Sequence, residues 1–288
     1  MFKSVQDKVW AFDAEWVPDP VTGRAVYGLP PELQDDEVVA EMWRRGGASE
    51  EEPRPYLKTV VCRVVSISVL ARYVEEGGVR LQLRSLPAPE DVATATEADI
   101  IARFLDGVGK QKPQLVGFNS DAADLRILLQ RALVSGVRAA DFARRPDKPW
   151  EGVDYFAGGD WHVDLMTVIG GRGRSRPSLH EVAAASGIPG KFATEGGDVA
   201  DLWMGGQLES IINYNEWDAL TTYLVWLRLA HFGGFFSSAE FALEQQRVED
   251  LLKAEGKHPG REHLSRYLEE WRRVRREAGA AGQMQMNF

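Results

Sequence analysis

Asp13 and Glu15 stand two residues apart in the run Val9 to Trp16 (VWAFDAEW). Val and aromatic residues favour a pleated strand, and Pro18 with Asp19-Pro20 ends it. Side chains alternate across a strand, so both carboxylates face one side, while Phe12, Ala14 and Trp16 face the other. Adjacent carboxylates repel, and more strongly as water leaves. A divalent cation relieves the repulsion, and hard oxygen ligands suit Mg2+ or Mn2+. Taken alone, the pair reads more simply as the solvated acidic face of an edge strand. Asn119 and Asp124 form a second place of interest, where a short apolar run (Gln114 to Asn119) gives way to a helical pattern. Strand ends and helix starts line the crevices where α/β sheets bind ligands. The plainer alternative is a capping box, with Asp121 as N-cap and Asp124 at the third helical position. Tyr214 and Asp218 form a third place, four residues apart on one helix face. Ile211, Ile212, Trp217, Leu220, Leu224 and Leu227 surround them, so an unpaired charge there is costly. By itself this is a Tyr–Asp pair at the edge of a buried stripe.

The elements that must carry these residues follow from periodicity. Thr59 to Arg72 is nearly continuous in apolar residues and reads as a central strand. Val79 to Leu86 alternates and reads as its partner, joined through Glu75-Glu76-Gly77-Gly78. Thr96 to Val108 is an amphipathic helix with Ile100, Ile101, Phe104, Leu105 and Val108 on one face. A helix over Ala122 to Ser135 turns Leu125, Leu128, Leu129 and Leu133 inward and stops at Gly136. Trp161 to Met166 is a short strand, and Ser178 to Ser186, Leu208 to Phe232, Ser237 to Ala254 and Arg261 to Ala278 are helices. Residues 18–58, rich in Pro, Gly and charge, read as a surface insertion with a short helix near Glu37 to Arg44. Strands come first and helices interleave later. The expected architecture is therefore a mixed sheet with helices on its faces.

The bulk numbers agree. The chain has 288 residues, 44% apolar and 27% charged, which is enough to bury a sizeable core. No run of about 18 apolar residues spans a bilayer, and Met1 to Trp10 lacks the apolar stretch of a secretory signal. The single cysteine, Cys62, lies among Val60, Val61, Val64 and Val65, consistent with a reducing, cytoplasmic setting. A formal net charge of −9 argues against nonspecific wrapping of nucleic acid. A site that gathers carboxylates around cations is a different matter, acidic in sequence and cationic when loaded.

The three places gain meaning as an ordered set. FDAEW, GFNSDAADL and YNEWDALTTYLVWLR resemble, in order, the three motifs of the DEDD exonuclease superfamily in its tyrosine-bearing (DEDDy) branch. HVDLM and SLHEVAAASGIPGK add a similarity to predicted stand-alone exonucleases related to the proofreading domain of family-B DNA polymerases. The resemblance covers roughly residues 7–232. In the second motif Ala123 stands where an aromatic is usual, and the spacing from Asn119 selects Asp124 over Asp121. The resemblance implies a ribonuclease H-like α/β fold over residues 1–234, with a C-terminal helical extension at 235–288 packed on it. It implies 3′–5′ exonuclease activity on DNA ends with two Mg2+ or Mn2+ ions, held by Asp13, Glu15, Asp124 and Asp218. Tyr214 then orients the attacking water, and Asn119 and Trp16 lie where the terminal nucleotide sits. The expected partner is a nucleic-acid 3′ end, with single-stranded DNA ahead of RNA, and no membrane. Two other functions stay open: an RNA-processing exonuclease like ribonuclease D, and a binding protein without turnover on the same fold.

Four further features read as structural. Asp164 in HVDLM anchors a loop near the site, and His162 and His180 are ordinary structural histidines. The basic loop Gly170 to Arg176 is solvated, with phosphate contact as the minor alternative. Trp271 to Arg276 (WRRVRR) is a charged helix surface balanced by nearby glutamates.

Overall fold

Alternation along the first strand decides which way the site faces. In β1 (Lys8–Pro18), Trp10, Phe12 and Ala14 enter one apolar cluster, and Val9 and Ala11 enter another on the opposite face. Asp13 and Glu15 continue the Val9/Ala11 face. The structure, a computed structural model, describes residues 2–148, 150–171, 176–190 and 199–285, with side chains to 278. After β1 come α1 (Pro20–Tyr27), α2 (Asp35–Gly46), β2 (Cys62–Glu75), β3 (Gly78–Leu86), α3 (Glu97–Gln111) and β4 (Gln114–Gly117). The chain continues through α4 (Asp124–Val134), α5 (Ala140–Ala143), β5 (His162–Asp164), α6 (Leu165–Gly170), α7 (Leu179–Ala185) and α8 (Val199–Met204). It ends with α9 (Leu208–Phe232), α10 (Ser238–Glu255) and α11 (Glu262–Gln285). The basic residues Arg172 and Arg174 and the lysine of the SLHEVAAASGIPGK stretch (Lys191) lie outside the described residues.

The five strands form one mixed sheet in the order β3-β2-β1-β4-β5. β2 runs antiparallel to β1 and β3, whereas β1, β4 and β5 are parallel. The expected mixed sheet flanked by helices is therefore present, of ribonuclease H-like type. α3 and α4 cover the face that holds Phe12 and Phe104, and α9 covers the other with Tyr223, Trp226 and Leu227 fully buried. α10 and α11 add Val248, Leu252, Leu264, Tyr267 and Trp271 to that second cluster. β1 continues well past Ala11, the last residue paired with β4. Its far end therefore lies open on that side, at the carboxyl ends of the parallel strands.

Residues 18–58 depart from a surface insertion with one helix. Two helices form, and Val38, Val39 and Met42 of α2 join the same core cluster as Phe12 and Ile101. α1 hides in a Pro- and Gly-bearing stretch. Pro20 suits its first turn, Asp19 caps it through Val21 N, and Gly23 leaves room for Met42. A Cβ on Gly23 would stand 2.4 Å from Met42 Sδ. The inward face of α4 also differs. Leu125 and Leu128 are buried, but Leu133 is 84% exposed, and Ile127 and Arg131 are buried instead. The reason is a buried ion cluster: the Arg131 guanidinium lies 2.8 Å from Asp19 and 2.7 Å from Glu97.

That cluster ties α1 and α3 to α4. Replacing Arg131 with Met leaves two buried carboxylates without their cation and is expected to cost about 3–5 kcal/mol. A urea midpoint at pH 7 measures this, and a loss below about 1 kcal/mol would show that the cluster does not hold the helices together.

Candidate active site

Three acids converge from two elements. One carboxylate oxygen each from Asp13 and Glu15 on β1 and Asp218 on α9 lie within 4.8 Å of one another. All three side chains are half-buried. Hard oxygen donors at this spacing fit a divalent cation of the Mg2+ or Mn2+ type. The outer half of β1 supplies two of them by strand period. α9 supplies the third because its apolar stripe presses it across β1 and β2. A cavity of about 250 Å³ opens beside Asp218, bordered by Ser178, Leu179, His180, Gly190 and Thr221.

Asp124 is next to the cluster rather than within it. It is the first residue of α4 and is buried. The alternative, a capping box, is absent: Ala123 holds the cap position with no side-chain bond, and exposed Asp121 pairs with Arg126 instead. The Asp124 carboxylate instead accepts the Ala14 N–H at 3.0 Å, on the open stretch of β1 between the two site carboxylates. A bond from the middle of a catalytic-type motif to the start of α4 is more than local capping.

The other expected residues divide. Tyr214 stands one turn before Asp218 on α9, within electrostatic reach of its carboxylate. Asn119 follows β4 in the left-handed region, φ 61°, and its N–H donates to Asp164 at 3.0 Å. Asp164 does anchor this loop, since it also accepts from Asp121 N and Thr167 N. His162 is buried, with Nε2 2.9 Å from Ser120 Oγ. Trp16 packs on the Phe12 side and meets the Tyr56 ring edge-on. Sequence reasoning passed over Asn215. It is fully buried, donates Nδ2–H to Asp13 Oδ2 at 2.7 Å, and accepts from Ser66 Oγ at 2.9 Å. A carboxylate only accepts, so these partners also fix which way round the amide lies. The available signal was periodicity. Asn215 stands four residues from both Ile211 and Ala219, on the buried stripe of its helix.

The electrostatics record the crowding. Burial, and then Asp124, Glu15 and Asp218, push the Asp13 carboxyl well above its usual range, against the Asn215 bond that lowers it. Burial raises Asp124 to about 7, opposed by backbone donors and assisted by Asp164 and Asp218. Burial and the charges of Asp218, Glu15 and Asp13 also raise the Tyr214 phenol. Tyr214 is thus a neutral hydrogen-bond donor at neutral pH and not a base.

The sheet and its acidic cluster together form a site that could hold a divalent metal ion. The model of the predicted 3′–5′ exonucleases related to the exonuclease domain of PolB matches residues 54–271, and the chain belongs to this family. The match includes Asp124, Tyr214 and Asp218, and Asp13 and Glu15 precede it. The comparison with curated proteins gives no match. The chain is accordingly a hydrolytic exonuclease by family, with an acidic cluster able to take metal.

The raised carboxyls carry a pH dependence with a definite sign. A carboxyl at 3.8 when unfolded and about 7 when folded holds its proton more tightly in the folded state. Its penalty on stability is absent below about 4, grows as pH rises, and is complete above about 7. EDTA-treated protein is therefore expected to unfold at lower urea at pH 8 than at pH 5. Asp124→Asn should recover on the order of 2–4 kcal/mol at pH 8 and little at pH 4. Equal effects of the substitution at both pH values would contradict the crowding.

Proposed function

We propose that this protein is a DEDDy-type 3′–5′ exonuclease that hydrolyses the terminal phosphodiester of single-stranded or frayed DNA and releases nucleoside monophosphates. The observation that carries the reading is the convergence of Asp13, Glu15 and Asp218 oxygens within 4.8 Å, with Tyr214 one helical turn from Asp218 and within its electrostatic reach. Two divalent ions, Mg2+ or Mn2+, would supply an activated water and charge neutralisation at the phosphate and leaving oxygen. Asp13, Glu15 and Asp218 would hold the ions, and Asp124 would support them from the α4 edge. Tyr214 would orient the attacking water. Asn215 holds one oxygen of Asp13 and so sets how that carboxylate is presented. Asn119, held at the end of β4, faces the terminal nucleotide.

No helix among the described residues is long and apolar enough to cross a membrane. Burial pushes the Cys62 thiol up to about 12, so it is inert as a nucleophile. We place the protein in the cytoplasm on that single buried cysteine.

The test is digestion of 3′- and 5′-labelled single-stranded DNA, duplex DNA and RNA with Mg2+ or Mn2+, alongside an EDTA control. Stepwise shortening from the 3′ end, fastest on single-stranded DNA, is expected, and Asp13→Ala should reduce it to background without loss of fold. Tyr214→Phe should lower kcat by about 10–100-fold, as for a group that supports a metal ligand. Faster digestion of RNA would move the substrate to ribonucleic acid while leaving the site intact. Full activity of Asp13→Ala would remove the site assignment.

A further inference from the structure

The segment between α2 and β2 ends in an aromatic side chain with no core to fill. Tyr56 is 68% exposed, whereas the next residue, Leu57, is 6% exposed and plugs into the core. Leu57 fits because residue 46 is glycine: a Cβ there would stand 2.7 Å from Leu57 Cδ2. This anchor fixes the backbone and holds Tyr56 outward. The Tyr56 ring meets Trp16 edge-on, with centroids 6.4 Å apart and planes at 85°. Trp16 directly follows Glu15, and β1 shifts register against β2 between those two residues. Tyr56 also lies within electrostatic reach of Asp124. The pair thus stands on the Phe12 side of β1, toward Asp124, with Trp16 one residue beyond Glu15 on the strand.

An edge-on partner braces one ring while leaving its face open to a third. Arg54, the nearest arginine in the chain, is already engaged with Asp201 and with the Trp43 ring. Stacking is therefore the interaction this corner offers, rather than a phosphate clamp. We propose that Tyr56, braced by Trp16, is a stacking platform for a nucleobase of the strand whose terminal phosphodiester lies at the acids. The ligand class is the π-face of any base near a 3′ end, without sequence preference. The inference rests on the exonuclease reading above and adds to it a substrate contact outside the acidic motifs. It also gives residues 18–58 a function beyond packing, since their helices hold the platform in place.

Single-strand binding separates the two ideas. The full-length protein is compared as Asp13→Ala, which binds without cutting, and as Asp13→Ala combined with Tyr56→Ala or Tyr56→Phe. Binding of a labelled single-stranded DNA is read by fluorescence anisotropy with Mg2+ present. A second strand is identical but abasic over its last three nucleotides. Tyr56→Ala is expected to weaken binding of the normal strand by about 5–100-fold, the range of a lost base stack, while Tyr56→Phe stays within about 2-fold. On the abasic strand, Tyr56→Ala should change little. Equal affinity of the Tyr56→Ala and Tyr56 proteins for the normal strand overturns the platform. So does an equal loss on both strands, or no binding of single-stranded DNA at all. Digestion by the protein with Asp13 restored is scored separately. Cutting with no effect of Tyr56 sinks the platform alone. Base-dependent binding without cutting under any metal sinks the exonuclease reading alone.

Discussion

Repulsion among carboxylates governs this structure. Asp13, Glu15, Asp124 and Asp218 are drawn into one partly dehydrated region, where every added charge raises the cost of the others. The fold tolerates this through donors of its own. Asn215 gives one hydrogen bond to Asp13, and Ala14 N–H gives one to Asp124. These bonds soften the conflict without removing it, since Asp13 and Asp124 stay displaced upward. A site left in this condition is poised for cations.

Two flanks keep the acids together. On one side, α9 is pinned by a second buried network one residue beyond Asn215. Glu216 is fully buried and bonds to Ser85, Arg261 and His263, so the C-terminal helices and β3 grip the helix that carries Asp218. Burial would raise Glu216, but His263, Arg261 and Ser85 hold it below its usual range. Arg72 on β2 and Glu244 on α10 add a buried pair at 2.9 Å. On the other side, Arg131 joins α4 to Asp19 and Glu97, and so fixes the helix that begins with Asp124. Buried charge here specifies position, while apolar packing does most of the holding.

Much of this was legible in the sequence, for identifiable reasons. Strand alternation placed Asp13 and Glu15 on one face, and a four-residue interval placed Tyr214 with Asp218. Both rest on backbone geometry that tertiary contacts seldom override. α9 matched its expected bounds, Leu208–Phe232, because apolar residues and a Gly-Gly stop frame it. What failed depended on distant partners. The capping-box alternative for Asp121 and Asp124 failed because the Asp124 carboxylate accepts from Ala14 N–H, 110 residues earlier. Leu133 looked buried because the pull of Asp19 on Arg131 cannot be seen in a helical period. α1 looked like loop because Gly23 and Pro20, which break helices in general, here serve its close packing and its first turn. Asn215 and Glu216 were not singled out, although both sit four residues from buried apolar neighbours on each side.

Carboxylates crowded in this way should fix where a divalent ion settles. A crystal grown with Mn2+, with anomalous difference density collected at the manganese edge, locates it directly. A strong peak bonded to oxygens of Asp13, Glu15 and Asp218 is expected, with a second on the Asp124 side of Asp13. Manganese bound elsewhere, with Asp13 and Asp218 holding only water between them, would contradict this.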